Sequence, residues 1–343
     1  MATIARAFAA VDLDVSVYGG ATRDQQLTNA ATCFAALRTR LLTAVTAPNA
    51  GNVLRLAFHD CGTYDINNPA AGGGCRGAIR LALGPEDAGL DLSRNLLTGP
   101  TGTAGVCGAA KATIPACANM PFADCISFAG LIAVAVTRGT TAAGCPWVPG
   151  RVDSAGPRNT ALLPPKEATA AQSLAIFGRY GMPVGAVGLT LDRAVTLLLG
   201  AHSIGRSRTT RPDRCSKGIS SLTSTPNTFE NSYYSGLINN IGRVNVPNGG
   251  WFCSDMHLVC NAITYPTPRP GAAVTLRQGF CPTSDSPLAP IARELAANNA
   301  AFLSGFCSAY QAMSLIGYNV PPSYVADAAR FATLLAPAPA RGL

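Results

Sequence analysis

The feature that most constrains this chain is a periodic stripe that ends in a histidine. In residues 189–208, LTLDRAVTLLLGAHSIGRSR, the side chains of Leu191, Ala194, Val195, Leu198 and His202 recur at helical intervals on one face. A helix is implied, with the imidazole turned inward. A ring in that position needs a hydrogen-bonding neighbour in the core or a bound cofactor. A second segment, RLAFHDCGTYD, places Arg55 and His59 four residues apart, on one face of a helix. That pair sets a fixed cation beside a ring that can carry a proton, which suits proton transfer while charge develops on an oxygen. Read singly, the two segments also fit a solvated surface cation and a core histidine satisfied by backbone.

Composition sets the class. The chain has 343 residues, enough for two packed halves around a buried group. Hydrophobic residues make up 48% and charged residues only 13%. Alanine-rich runs such as AGLIAVAV and PLAPIARELAANNAAFLSGF alternate with Pro- and Gly-rich loops, so the expected fold is mainly α with little β. The longest apolar run, residues 125–136, is shorter than the roughly eighteen residues a spanning helix requires, and no membrane anchor is expected. The net charge is +8, with one dense group at Arg206, Arg208, Arg211 and Arg214. No aromatic residues are interleaved there, which argues against nucleic-acid binding. Pairing with an anionic cofactor group or an acidic polymer fits better.

Twelve cysteines occur without any Cys-x-x-Cys, the spacing typical of zinc and redox sites. Paired cysteines imply an oxidising compartment, so the expected location is extracellular. The N-terminus MATIARAFAAVDLDV lacks the uninterrupted apolar core of a signal peptide, and no Asn-x-Ser/Thr sequon is present. Connectivity stays open, since twelve cysteines allow roughly ten thousand pairings. Residues 245–271 read as a long loop tied by Cys253 and Cys260, with His257 as a loop histidine.

Five segments in order resemble the plant-type haem peroxidase superfamily. LRLAFHDC is similar to the distal-histidine motif and LLLGAHSIG to the proximal one. FADCISFAGLIAVAV with PGRVD resembles the central helix and its following turn, TPNTFENSYYSGL the segment after the proximal histidine, and CSDMHL the source of the proximal aspartate. The likeness runs from about residue 54 to 258. It implies one haem peroxidase unit over residues 1–343, with a distal half at about 25–155, a proximal half at about 156–320 and a tail at 321–343. The two helical halves sandwich one haem b. It also implies a monomer that reacts hydrogen peroxide with a small phenolic or ascorbate-like reductant. By the same resemblance His59 is the distal base and Arg55 its cationic partner. Phe58 takes the distal aromatic position, in the manner of the secreted plant and fungal enzymes. His202 is the axial iron ligand, Asp255 accepts its ring N–H, and Leu222 and Arg206 are expected to bind the cofactor, Arg206 by pairing with a haem propionate. Cys61 and Cys75 look like the family's short distal disulfide.

The departures from the family pattern carry information. Asp87 stands where an asparagine usually bonds the distal histidine, and an anion there is expected to raise the pKa of His59. The distal calcium loop keeps Asp60 but reads Gly74-Cys75-Arg76-Gly77-Ala78, so no distal calcium is expected, with Arg76 pairing to Asp60 instead. Ser203, Thr223, Thr225, Thr228 and Glu230 occupy the proximal cation positions with a single carboxylate, which suits potassium as well as calcium. Pro48, Asn52 and Arg208 replace the acidic manganese ligands, and Leu197 and Leu222 replace the tryptophans that carry protein radicals. Arg211 matches an arginine that ascorbate peroxidases use to hold substrate, whereas Ala47 replaces the partner lysine. Small phenols are therefore the first expected reductant and ascorbate the second. Other classes considered are an inactive haem-binding scaffold and a non-haem metal site built from His59, Asp60 and His202.

Overall fold

One charged residue, Asp124, interrupts the sixteen of Phe122–Thr137, and the remaining side chains leave no polar face. Such a helix is stable only when neighbours surround it. In the computed structural model it is buried throughout except at Val136, with other helices packed around it. The structure describes residues 11–138, 145–156, 158–207, 220–239, 252–261, 283–321 and 323–332, together with Ile241, Ile263 and Cys281.

Among the described residues the helices are α1 (Arg23–Ala44), α2 (Ala47–Cys61), α3 (Asp91–Thr98), α4 (Gly105–Thr113), α5 (Phe122–Thr137), α6 (Ala170–Arg179), α7 (Leu191–Leu199), α8 (Ser232–Asn239), α9 (Cys253–Met256), α10 (Ala289–Ala297), α11 (Asn299–Met313) and α12 (Tyr324–Ala332). Strands among the described residues are four two-residue pieces: β1 (Val11–Asp12), β2 (Arg206–Ser207), β3 (Ser220–Ser221) and β4 (Tyr318–Asn319). The expected mainly α class is what the structure has. β1 pairs parallel with β4, and β2 pairs antiparallel with β3. Thr22 and Gln25 close a capping box at the start of α1, as Thr169 and Gln172 do for α6, and each satisfies backbone N–H groups that the first turn would leave unpaired.

Two close approaches set the geometry around the histidines. A side chain on Gly51 would fall 2.8 Å from Gly205 Cα, so α2 and the strand that follows His202 meet backbone to backbone. A Cβ on Gly200 would fall 2.4 Å from Tyr234 Oη and 2.5 Å from the Phe302 ring, and only glycine fits. There the chain tightens. The α-helix expected to reach His202 ends at Leu199, and the histidine sits on a 3-10 turn, Gly200–Ser203, whose first N–H is shared between the carbonyls of Leu197 and Leu198. The 3.6-residue period therefore pointed to the correct side of the chain but overran the helix by one turn.

Disulfides join Cys33–Cys117, Cys61–Cys75, Cys107–Cys125, Cys145–Cys307 and Cys260–Cys281. Cys61–Cys75 is the pair that the family resemblance implied. The expected tie between Cys253 and Cys260 does not form, because Cys260 reaches Cys281, and Cys253 is bonded elsewhere. No free cysteine occurs among the described residues. No described helix is long and apolar enough to cross a membrane.

At the base of α5, Asp124 accepts from Arg151 Nη1 at 3.0 Å, Tyr18 Oη at 2.6 Å and the backbone N–H of Gly150 at 2.7 Å. Arg151 also donates to the Ser314 carbonyl at 2.8 Å and lies over Trp147. Both ion-pair side chains are fully buried. Removing one partner leaves a charge that water cannot reach. We expect Arg151→Met to lower the free energy of unfolding by about 3–5 kcal/mol, measured by urea denaturation.

Candidate active site

α2 places Arg55 and His59 on one face, as the four-residue spacing requires. Arg55 Nε donates to His59 Nε2 at 3.1 Å, while its Nη1 and Nη2 donate to the carbonyls of Ala88 and Glu86 at 2.9 and 3.0 Å. Three of the five guanidinium protons are thereby used, and two remain for a ligand. Asp87 Oδ1 lies 2.9 Å from His59 Nδ1. Because Arg55 can only donate, Nε2 is the unprotonated nitrogen and Nδ1 carries the proton towards Asp87. Phe58 is half-buried, edge-on to His59 and stacked on Phe177.

A residue that sequence reasoning missed completes this cluster. Arg158, with 3% of its side chain exposed, forms an ion pair through Nη2 with Asp87 Oδ2 and donates from Nη1 to the His59 carbonyl at 3.1 Å. Its signal in the sequence is slight, since it lies in a Gly/Pro-rich loop far from both partners in the chain. Gly84 N–H supplies a further donor to Asp87 Oδ2 at 2.7 Å. Asp87 is held below the usual carboxylate range; burial acts against this, but the hydrogen bond from His59, the Gly84 N–H and Arg158 prevail.

The expected rise in the His59 pKa does not occur. Burial lowers it to about 4; Asp87 pushes upward as anticipated, but Arg55 and Arg158 add to the downward pressure. The anticipated Asp60–Arg76 pair is also absent. Asp60 accepts instead from the backbone N–H groups of Gly77 at 2.7 Å and Ile79 at 3.1 Å, and burial raises it to about 6. Arg76 lies over the Tyr318 ring.

Across from α2, His202 Nδ1 sits 2.7 Å from Asp255 Oδ1, which α9 presents. Tyr233, another residue not foreseen, donates to the same oxygen at 2.7 Å, and Phe252 N–H donates to Oδ2 at 2.8 Å. Burial pushes the His202 pKa down, but the charge and hydrogen bond of Asp255 outweigh it and leave the ring a stronger base than usual. The ring keeps 31% side-chain exposure. With Nδ1 taken by Asp255, Nε2 is available to a metal, and a carboxylate behind an imidazole both fixes its orientation and strengthens it as a donor. The turn that carries His202 packs against α2, close enough for the charge of Arg55 to act on the ring. The His202–Asp255 pair would therefore suit the iron of a haem, with Nε2 as the ligating atom. A non-haem centre built from His59, Asp60 and His202 is not formed: Asp60 is turned to the backbone N–H groups of Gly77 and Ile79, and no group of three such side chains placed to hold a metal occurs among the described residues.

Leu222 is buried and its N–H bonds to Gly205 O at 3.4 Å, beside the His202 turn. Arg206 is exposed on β2 and lines a cavity of about 350 Å³ with Pro48, Asn52, Gly205 and Asn227. Ser203 Oγ is buried without a hydrogen-bond partner, and Thr223 donates to the Ser203 carbonyl at 2.9 Å. Thr225 Oγ1 bonds Glu230 at 2.6 Å, and the Thr225 carbonyl accepts from Thr228 N–H at 2.9 Å. His257 bonds the Cys260 carbonyl as a buried loop residue. Arg208, Arg211 and Arg214 lie outside the described residues.

A family model for peroxidases matches residues 35–269. The chain belongs to the plant-type haem peroxidase superfamily. It is 32% identical over 211 residues to an Arabidopsis thaliana protein named "Putative L-ascorbate peroxidase 6", covering 61% of this chain and 53% of that relative. It is also 32% identical over 186 residues to a peroxisomal L-ascorbate peroxidase 5 of the same plant, covering 54% and 57%. A Candida albicans protein named "Putative heme-binding peroxidase" is 31% identical over 219 residues, covering 60% and 65%. This chain thus spans between half and two thirds of the length of these peroxidase relatives. The names correct the extracellular expectation: relatives are described as peroxisomal or cytosolic, and disulfides do not by themselves establish secretion.

The depressed His59 pKa has a consequence for stability. Above pH 6.5 the ring is neutral in folded and unfolded chains alike. Between 6.5 and about 4 the unfolded chain binds a proton that the folded one refuses, so stability falls as pH is lowered. We expect a loss of about 3 kcal/mol between pH 7 and 4 in excess of that shown by His59→Leu, by urea denaturation of both proteins.

Proposed function

We propose that this protein is a hydrogen-peroxide-dependent haem peroxidase that oxidises small organic reductants. The observation that carries the reading is the Arg55–His59–Asp87 chain together with the His202–Asp255 pair, whose turn packs against α2. Haem, when bound, would supply the two electrons that cleavage of the peroxide O–O bond consumes, and the reductant would restore them. His202 would hold the iron through Nε2, with Asp255, Tyr233 and Phe252 N–H fixing the ring.

His59 is the proton carrier. Its neutral Nε2 accepts the proton of the peroxide oxygen nearer the cofactor and returns it to the far oxygen, which leaves as water. Arg55 offers its two unused protons to the oxygen on which negative charge builds. Asp87 keeps the Nδ1–H tautomer in place throughout, so that only Nε2 titrates during the cycle.

Small phenols are the first reading for the reductant. Ascorbate is the second, and two observations favour it: the names of the relatives, and Arg206 with Asn52 and Asn227 around a polar cavity that an oxyanion would suit. Arg211, matched to the substrate arginine of ascorbate peroxidases, remains part of this second reading. A proximal cation, potassium or calcium, is proposed at Ser203, Thr223, Thr225, Thr228 and Glu230, supported by the unpartnered buried Ser203 Oγ.

We expect His59→Leu to retain haem and to slow the bimolecular reaction with hydrogen peroxide by about 10²–10⁴-fold in stopped-flow absorbance, while the peroxide-oxidised wild type is reduced by guaiacol or ascorbate added separately. An unchanged rate in the variant removes the proposed role of the base. For the cation, we expect chelation and dialysis into sodium buffer to lower the Tm, and potassium or calcium to restore it. A Tm indifferent to both ions overturns the site.

A further inference from the structure

Asp87 places a carboxylate against the Nδ1 side of the base, and its charge needs a counterpart if the base is to stay neutral. We infer that Arg158 is a positioning residue for the peroxide reaction: it cancels the charge of Asp87, so that the Asp87–Arg158 ion pair serves the distal histidine as a neutral hydrogen-bond acceptor. This inference rests on His59 being the base that takes the proton from peroxide.

Both oxygens of the Asp87 carboxylate are engaged. Asp87 Oδ1 accepts from His59 Nδ1–H, and Oδ2 accepts from Arg158 Nη2 and Gly84 N–H. Arg158 Nη1 reaches the carbonyl of His59 itself at 3.1 Å, so one guanidinium grips both the carboxylate and the backbone that carries the base. The Asp87 side chain is fully buried and that of Arg158 is 3% exposed. A lone carboxylate in such surroundings would draw a proton onto the imidazole; a carboxylate already paired with a guanidinium gives a strong acceptor and little net charge. The other charged groups near the ring cannot perform this task. Arg55 contacts Nε2 and adds positive charge, Asp60 is committed to the amides of Gly77 and Ile79, the Glu86 side chain is exposed, and His202 lies on the opposite side of the site.

The outer face of Arg158 lines a cavity of about 120 Å³ with Leu83, Gly84 and Thr160. This gives a small cation a place to enter when the side chain is removed. The base-dependent step is then open to chemical rescue.

The test measures the haem-loaded protein and Arg158→Ala in two ways across pH: the bimolecular rate with hydrogen peroxide, and the association of hydrogen cyanide with the ferric protein. The second readout needs no turnover, since cyanide must surrender its proton to the same base. We expect the acid limb of both profiles to lie near pH 4 in the wild type and to move up by about 1–2 units in Arg158→Ala. Millimolar guanidinium should move it back. Asp87→Asn/Arg158→Ala, which removes both charges, should restore the wild-type limb, and guanidinium should leave it unmoved. Where Arg158→Ala does not fold, Arg158→Gln fills the space without charge and should show the same upward move. An acid limb that stays at the wild-type position in the single variants overturns the role of Arg158. A wild type that reacts with neither peroxide nor cyanide overturns the underlying reading instead.

Discussion

Asp124 has no contact with water, and the parts of the chain that frame the site converge on it. Its carboxylate joins the start of α5 to Tyr18 near the N-terminus and to the turn at Gly150 and Arg151, and Arg151 carries the connection on to Ser314 beyond α11. A buried ion pair of this kind adds little net stability over a well-packed apolar alternative, because desolvating both charges is costly. What it does supply is register. The four segments can satisfy these groups in one arrangement, and that arrangement fixes α5, on which α2 with Arg55 and His59 lies.

Two histidines in one site are each backed by a carboxylate at nearly the same distance, 2.9 Å and 2.7 Å, yet their basicities shift in opposite directions. The difference lies in what the carboxylates themselves face. Asp87 is paired with Arg158, and His59 also faces Arg55, so burial prevails and the ring stays neutral. Among the described residues the other donors to Asp255 are neutral, Tyr233 and the Phe252 N–H, and its charge raises the basicity of His202. On the proposed reading, one ring accepts a proton transiently and the other donates electron density steadily. Those are the two properties a peroxide-cleaving site requires of its opposite walls.

Much of the site was legible in the sequence because its signals are local. Arg55 and His59 sit one helical turn apart, so their joint orientation follows from helix geometry. The stripe ending at His202 indicated the side of the chain on which the ring lies for the same reason, although the α-helix ends at Leu199 and the ring sits on a 3-10 turn. Asp87 and Asp255 were found through ordered motifs. Arg158 and Tyr233 were not, since an arginine in a loop and a tyrosine on a short helix look the same whether they face solvent or a carboxylate distant in the chain.

The sequence by itself determined the class: a mainly α chain, the family's ordered motifs, and which residue types could meet a haem. Only the tertiary structure decided the electrostatics. Whether Asp60 meets Arg76 or the amides of Gly77 and Ile79, and whether Asp87 charges or merely orients His59, depends on which distant groups share the same buried volume. Local spacing specifies direction along a helix; desolvation and pairing are set by everything that packs around it, and in a water-poor interior those terms outweigh the single neighbour that a motif reveals.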